Sequence, residues 1–371
     1  MIHNRQFSLA IVGAHGLPAK YGGYCTLAEY LAEYKPDDFD VTVYCVKSEF
    51  PDGPDMYKGC HLVYLDAPAR GMMAWKFHAK GIKHAIQNDA DCILLCGSSG
   101  GFSLPFYHKY RSNFYLNIGG VEWARSKYNA IMQRVVRKLM RVAVNNSGHL
   151  VADNIGIKEY IKEEYKREDS VVIAYGGDQA CKEEATPDIK EKYPFMKGDY
   201  AVAIARIQSD NNTDMLLEAF KNAKMPLVYI GNWNVSEYGI ETKKKYSSEK
   251  NLFLLDAIYE IHELNKIRSN CALYVHGHSA GGTNPSLVEA MHLGVPLACY
   301  DNGFNNNTTY NKAIYFKSAE DLQKKLDSLT FEQLQENAKT MKSLAMEHYQ
   351  WKTIAEQYYD FFRAGVGYTK L

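Results

Sequence analysis

Three glycine-containing stretches and one arginine carry residue types whose spacing could do chemistry. In HGHSAGGTNPSLVEAM, His276 to Met291, an apolar run ends, Gly281 and Gly282 open the backbone, and Asn284 or the following proline starts a helix. N–H groups at a helix start, here near Thr283–Leu287 with Ser286 between, lack partners within the helix and can cradle a diphosphate. Glu289 is expected on the first turn, where its carboxylate can accept from the two hydroxyls of a ribose; an acid there is also ordinary capping. His276 and His278 sit among glycines at a strand end, an unusual pattern for core packing, which favours a functional role over a bland one. Arg206 follows the apolar run YAVAIA and opens a polar loop, where a cation can neutralise a diphosphate leaving group. In NIGGVEW, Glu122 and Trp123 follow Gly119 and Gly120, a carboxylate and an indole that suit a sugar as well as they suit an ion pair and a core tryptophan. The last stretch runs from Gly13 through His15, Gly16 and Tyr21 to Gly22 and Gly23. It is neither the GxGxxG fingerprint nor a GxxxxGK[ST] phosphate loop, and a glycine-rich crossover without ligand is its alternative reading.

The elements that must position these residues follow from apolar periodicity. Strand patterns in the first half are SLAIVG, VTVYCV, HLVYLD, CILLC, FYLNI, HLVAD and SVVIAY, with helical patterns between them at Thr26–Tyr34, Trp75–Gln87, Tyr128–Val144 and Gly156–Tyr165. After about residue 198 the rhythm restarts with YAVAIA, PLVYIG, NLFLL, CALYVH and VPLACY. Near-continuous apolar strands alternating with helices indicate parallel sheets covered on both faces. The expected fold is α/β, with two doubly wound Rossmann-like domains: residues 1–178, residues 179–349, and a C-terminal helix at 350–371 packing back on the first domain. In such sheets ligands bind at the carboxyl ends of the strands, where the glycine-rich stretches lie.

Composition narrows the classes. The 371 residues are ample for two domains, and 43 basic against 43 acidic side chains give no global pull toward nucleic acid. Eight cysteines without a CxxC pair argue against zinc and against a disulfide framework. MIHNRQ leads straight into the strand FSLAIVG, with no basic-then-apolar leader, and no apolar run approaches the ~20 residues of a spanning helix. A cytoplasmic protein is expected, at most peripheral at the inner face of a membrane. Residues 123–152 hold six basic side chains and no acid: Arg125, Lys127, Arg134, Arg137, Lys138 and Arg141. With Ile131, Val135, Leu139 and Val142 on one face, the helix Tyr128–Val144 is a candidate peripheral membrane contact; a solvated helix covering the sheet is the alternative.

Together GLPAKYGGY, NIGGVEW, VADNIGIKEYIKEEY, VVIAYGGD, ARIQSDNN and HGHSAGGTNPSLVEAM resemble the retaining GT-B glycosyltransferases of family 4, most of all their bacterial rhamnosyltransferase-like branch in capsule, O-antigen and cell-wall polysaccharide synthesis. The matching stretches run in order through residues 9–300. The resemblance implies two domains facing across a cleft, with a nucleotide-sugar donor (dTDP-rhamnose as the branch default, or a UDP-linked sugar) held mainly by the C-terminal one. It implies a saccharide or lipid-linked acceptor, no nucleic acid, and no cofactor or metal. Glu289 would bind the ribose, Arg206 the diphosphate, and Gly281, Gly282, Thr283, Asn284, Ser286 and Leu287 the phosphates and donor sugar. Gly22 and Gly23 would close on the phosphates from the other domain. Glu122, His278 and Arg206 are the catalytic candidates. His15, Tyr21, Glu122, Trp123, Asp153 and Asn154 form the acceptor side.

The chain departs from the branch at His15 for an arginine, at Cys25 for an acid, at Gly119 for an aspartate and at Asn211 for a lysine. Three of these fall on the acceptor and reaction side, which points to an altered sugar or acceptor. The alternatives are a catalytically degenerate nucleotide-sugar-binding partner of other transferases, and an epimerase or hydrolase on the same scaffold.

Overall fold

The apolar runs form two separate sheets in the computed structural model, which describes residues 6–20, 22–69, 71–124 and 128–369. The first sheet contains β1 (Phe7–Val12), β2 (Phe39–Val46), β3 (Met56–Tyr57), β4 (Cys60–Leu65), β5 (Cys92–Cys96), β6 (Phe114–Ile118), β7 (His149–Ala152) and β8 (Ser170–Val172). Its order is β3-β4-β2-β1-β5-β6-β7-β8, and every pairing is parallel except the edge hairpin β3–β4. The second contains β9 (Ala201–Ile204), β10 (Leu227–Ile230), β11 (Leu252–Leu255), β12 (Leu273–His276), β13 (Leu297–Tyr300) and β14 (Ile314–Phe316). Its order is β11-β10-β9-β12-β13-β14, parallel throughout. All five residues of β5 and all five of β6 are buried, as strands covered on both faces require. β3 and β14 go beyond the sequence expectation, because two- and three-residue strands are too short to show a period.

The described residues divide into two compact units. One takes the chain up to Trp123, Tyr128–Tyr175 and the chain from Trp351 onward; the other takes Ala124 and Gly176–Gln350. The chain therefore contributes its last helix, Trp351–Thr369, to the first unit. That helix packs Trp351, Ile354, Tyr358, Tyr359 and Phe362 into one core with Leu9, Leu27, Phe39 and Leu94. The Trp351 ring stacks on Tyr30 at 4.7 Å, the Tyr359 hydroxyl donates to Leu31 O at 2.6 Å, and Arg363 grips Asp38 through two hydrogen bonds. A carboxylate gripped by a guanidinium in this way has its pKa lowered, and Asp38 is held below its usual range. The second core gathers Leu217, Phe220, Tyr229, Trp233 and Val275 around β9, β10 and β12.

The helix expected at Tyr128–Val144 runs from Ala130 to Asn146, because Asn129 caps it by accepting from Met132 N at 2.9 Å. Its buried residues are Met140, Ala143 and Val144. Of the apolar face Ile131–Val135–Leu139–Val142, Ile131 and Val135 are exposed and Leu139 and Val142 half-buried. Arg125 and Lys127, like Tyr21, lie outside the described residues.

Candidate functional site

In the second sheet the strand order runs outward in both directions from the β9–β12 pair, which makes the carboxyl ends of those two strands the switch point where such sheets bind ligands. Arg206 stands two residues past β9, and the stretch from His276 to Glu289 begins at the end of β12. Arg206 is exposed, and its guanidinium has no hydrogen bond or ion pair among the described residues. Its loop is bound to the glycine-rich loop beside it. Asn212 Nδ2 donates to Gly277 O at 2.8 Å, and both the N–H and the hydroxyl of Ser279 donate to Asp210 O. A side chain at position 277 would run into Asn211 O at 2.5 Å, so only glycine lets the two loops approach so closely. Asn211 is buried and donates to Arg206 O at 2.6 Å, which makes it a brace for the arginine's backbone.

From the other side, Asn302 and Asn305 both donate to His278 O, at 2.8 and 2.9 Å. The loop is thus pinned at Gly277, His278 and Ser279 before it reaches Gly281, whose φ of 140° is one that glycine alone adopts without strain. No hydrogen bond engages the N–H of Gly281 or Gly282 among the described residues. Thr283 and Leu287 are buried.

The helix that follows, Pro285–Leu293, differs from expectation in two respects. Its N-terminal groups are largely taken: proline has no N–H, Ser286 N and its hydroxyl donate to Asn284 Oδ1, and Leu287 N donates to Asn284 O. Asn284 is therefore a helix cap, and the open backbone lies one step earlier, at the glycines. Glu289 is the fifth helical residue, at the start of the second turn rather than on the first.

Glu289 is half-buried and held from two sides. Gln179 Nε2 donates to Oε1 at 2.6 Å, and Arg268 Nη1 forms an ion pair with Oε2. Arg268 is itself buried, and its other nitrogens donate to Asn265 Oδ1 at 3.0 and 2.8 Å. Each Glu289 oxygen therefore keeps a lone pair for one more donor in an orientation already set. Gly177 makes the Gln179 contact possible: a Cβ there would meet Val288 C at 2.6 Å and Glu289 N at 2.8 Å. Arg268, Asn265 and Gln179 were not anticipated from sequence. Arg268 lies 21 residues and Gln179 110 residues from Glu289, and no local period connects them.

Both histidines of the glycine-rich loop are buried, although their setting among glycines is unusual for core packing. Their rings stack at 4.2 Å and 8°. Neither ring nitrogen of His276 has a hydrogen-bond partner among the described residues, and burial lowers its pKa to about 3, so the ring is neutral at physiological pH.

In the first unit the glycine-rich stretch follows β1 next to β5, the corresponding switch point. A Cβ on Gly13 would meet His78 Nε2 at 2.5 Å. His15 has a left-handed φ of 59°, and its carbonyl accepts from Val46 N. Cys25 is buried and its thiol donates to Ala14 O at 2.7 Å. Glu29 accepts from Ala19 N, Tyr57 and Lys58; burial works against its charge, but these donors hold the carboxyl below its usual range. Gly22 caps the helix Gly23–Glu33 with φ 98° and no side-chain cap bond.

Beyond β6, Tyr24 reaches across to Asn117 and Gly119: its hydroxyl donates to Asn117 O at 3.4 Å and accepts from Gly119 N at 3.2 Å. Burial, then Cys96 and Asp153, push the Tyr24 hydroxyl pKa far up, so it stays protonated. Asp153 is buried at the end of β7. Asn154 caps the helix Ile155–Tyr165 by accepting from Gly156 N at 2.8 Å, a structural role rather than a displayed one. Glu122 accepts from the Tyr128 hydroxyl at 3.2 Å. One face of the Trp123 indole is covered by Arg137 at 4.9 Å and its N–H donates to Tyr160 at 2.6 Å, so that face is not open to a pyranose. The structure thus brings Arg206 and the Gly281–Glu289 residues together in the second unit, whereas Gly22, Gly23, His15, Glu122, Trp123, Asp153 and Asn154 belong to the first.

Residues 185–347 match the family model described as glycosyl transferases group 1, and residues 6–178 match one described as a domain of unknown function (DUF1972). No curated protein matches the chain. Similar solved structures include sucrose-phosphate synthase from Thermosynechococcus elongatus, with 15% identity, a TM-score of 0.80, and 97% of this chain and 99% of that one covered. Anabaena HepE in complex with UDP-glucose matches at 13% identity and TM-score 0.72, over 97% of this chain and 100% of that one. A structure described as trehalose-6-phosphate from E. coli bound with UDP-2-fluoro glucose matches at 12% identity and TM-score 0.70, over 96% and 98%. At such identities the structural likeness is one of fold. Residues 185–347 thus match a glycosyl transferases group 1 domain, within a chain of the GT-B fold.

Proposed function

We propose that the chain transfers a sugar from a nucleoside-diphosphate donor held by its second unit to a saccharide or lipid-linked acceptor in cell-surface polysaccharide synthesis, with retention of anomeric configuration and without a metal. The observation that carries this reading is a braced Glu289, an exposed Arg206 and an open glycine backbone on the segments that leave the β9–β12 switch point. Glu289, fixed by Arg268 and Gln179, accepts from the ribose diol. Gly281 and Gly282 present backbone N–H groups to the phosphates. Arg206 stabilises the charge that develops on the diphosphate as the glycosidic bond breaks. The acceptor hydroxyl then attacks the anomeric carbon from the face the diphosphate leaves, and its proton passes to the departing diphosphate oxygen. HepE in its UDP-glucose complex and the E. coli structure with its fluorinated donor support a nucleotide-sugar in such a fold. The donor is a UDP- or dTDP-linked sugar, with rhamnose the expectation from the resembling branch. Lipid-linked acceptors place the reaction at a membrane surface, reached through the helix Ala130–Asn146.

Titration calorimetry with a panel of UDP- and dTDP-sugars tests the donor site. Glu289→Gln keeps the side chain's shape and should weaken binding about tenfold, the loss of one charge-assisted contact. Glu289→Ala should weaken it further. Unchanged affinity in a variant that melts like the parent would remove Glu289 from the site. Release of nucleoside diphosphate that depends on added acceptor separates a transferase from a hydrolase.

A further inference from the structure

Exposed aromatic residues cluster on the first unit. Trp75, Phe102 and Phe106 are all exposed, Phe106 at 75%, and they form a chain of edge-on contacts: Trp75 to Phe102 at 5.1 Å and Phe102 to Phe106 at 6.2 Å. They stand on the start of the helix Trp75–Gln87 and on the 3-10 segment Ser98–Asn113. That segment presses against the helix Ala130–Asn146 so closely that a Cβ on Gly101 would meet Leu139 O and Ala143 Cβ at 2.7 Å. Phe102 is therefore seated next to a helix whose own exposed apolar residues are Ile131, 73% exposed, and Val135. Large apolar side chains in this number, on adjoining elements, are unusual in surface that faces only water.

The charge around them is one-sided. Between Ala67 and Ala152 the sequence has twelve lysines and arginines against three acids, Asp89, Asp91 and Glu122, a net of +9 in a chain whose total is zero. Arg137 and Arg141 share the carboxylate of Glu164, but Arg134 and Lys138 stand exposed beside Ile131 and Val135 without an ion pair among the described residues. Three exposed apolar residues of the second unit have acidic neighbours in sequence: Val235 and Ile240 lie next to Glu237 and Glu241, and Phe331 next to Glu332.

We propose that Trp75, Phe102, Phe106, Ile131 and Val135, ringed by Lys76, Arg134 and Lys138, form a surface that docks on an anionic lipid bilayer, with the apolar side chains entering the headgroup–acyl boundary. Aromatic and aliphatic side chains favour that boundary, and lysines and arginines add attraction to acidic headgroups. The rings pack edge to face against one another, whereas nucleic acid calls for open ring faces on which bases stack. A second copy would bring two strongly positive patches together. The surface deepens the proposed function and rests on it for its purpose, a lipid-linked acceptor. Docking itself needs no transfer, so the two ideas fail separately.

Flotation with vesicles of phosphatidylcholine alone, and of phosphatidylcholine with an equal part of phosphatidylglycerol, tests the surface on the full chain. Binding is expected to the anionic vesicles only and to weaken as salt rises. Arg134→Glu with Lys138→Glu, and separately Phe106→Ser with Ile131→Ser, should each cut partitioning by about tenfold or more. All four positions are exposed, and the two variants are independent, so misfolding of one leaves the other informative. An unchanged melting temperature and far-UV circular dichroism spectrum confirm the fold. Lipids brominated along the acyl chain should quench tryptophan fluorescence, and Trp75→Phe should reduce the quenching, since Trp233 and Trp351 are buried and Trp123 is half-buried beneath Arg137. Equal binding to neutral and anionic vesicles, variants that bind like the parent, or a preference for single-stranded RNA over vesicles would each overturn the proposal.

Discussion

Gly119 and Tyr24 form a pair whose members explain each other. A Cβ at position 119 would lie 3.0 Å from the Tyr24 hydroxyl and 3.4 Å from Asp153 Oδ2. The tyrosine hydroxyl therefore occupies the space into which an aspartate at 119 would grow, and Asp153 would oppose a second carboxylate there. Gly119→Asp should lower stability by about 1–3 kcal/mol in urea unfolding, as overpacking of a tight site does. Tyr24→Phe removes the obstructing oxygen and should recover part of that loss in the double variant, a coupling of about 1 kcal/mol. Strictly additive effects would separate the two residues. The buried His276 makes a different prediction. Its folded pKa of about 3 lies below the ordinary histidine value, so between those values the unfolded chain binds the extra proton. Its neutral burial is fully accommodated at pH 7, and stability falls as pH drops from about 6.5 toward the folded value. His276→Phe should flatten unfolding free energy against pH between 6 and 4 by roughly 1 kcal/mol per unit. An unaltered slope would show that the ring is protonated in the fold. Residue chemistry of this kind was only half legible: Glu289 and Arg206 stand out by type and position, but the partners that orient Glu289 come from distant segments.

The helix Trp351–Thr369 shows how an element acquires its function from where it packs. Its apolar residues follow an ordinary amphipathic pattern, yet they complete the core of the unit built by the other end of the chain. Trp351→Ala removes a side chain that is 1% exposed, stacked on Tyr30 and edge-on to Tyr175 at 6.1 Å. It should cost about 3–5 kcal/mol in denaturant unfolding of the first unit, the usual range for a large buried ring. A cost below about 1 kcal/mol would mean the helix is an accessory. The helix Ala130–Asn146 teaches the reverse lesson. Its sequence offers two apolar stripes, and periodicity alone shows Ile131–Val135–Leu139–Val142 as one face without saying which stripe is buried. Packing against the 3-10 segment Ser98–Asn113 buries Met140, Ala143 and Val144, because Gly101 admits the helix backbone there. That segment has no apolar period of its own and was not expected as an ordered element.

Across the whole molecule, charge is balanced in total and divided in place: +9 lies between residues 67 and 152, and the compensating −9 lies elsewhere. A neutral net charge thus conceals a strongly basic surface, and only a map of exposed positions reveals it. The sequence by itself determined the two parallel sheets, since strands buried on both faces need continuous apolar runs, and these recur on schedule in the chain. It also marked the loops after the strands, where glycines and polar residues collect. Tertiary structure alone decided the strand order that makes the ends of β9 and β12 a switch point. It decided that Asn284 spends its side chain on capping, and that Arg268 and Gln179 hold Glu289. The physical reason is the same in each case. Periodicity and propensity act over a few neighbouring residues, whereas a buried charge or a closely approached backbone is satisfied by whatever distant segment folding brings beside it.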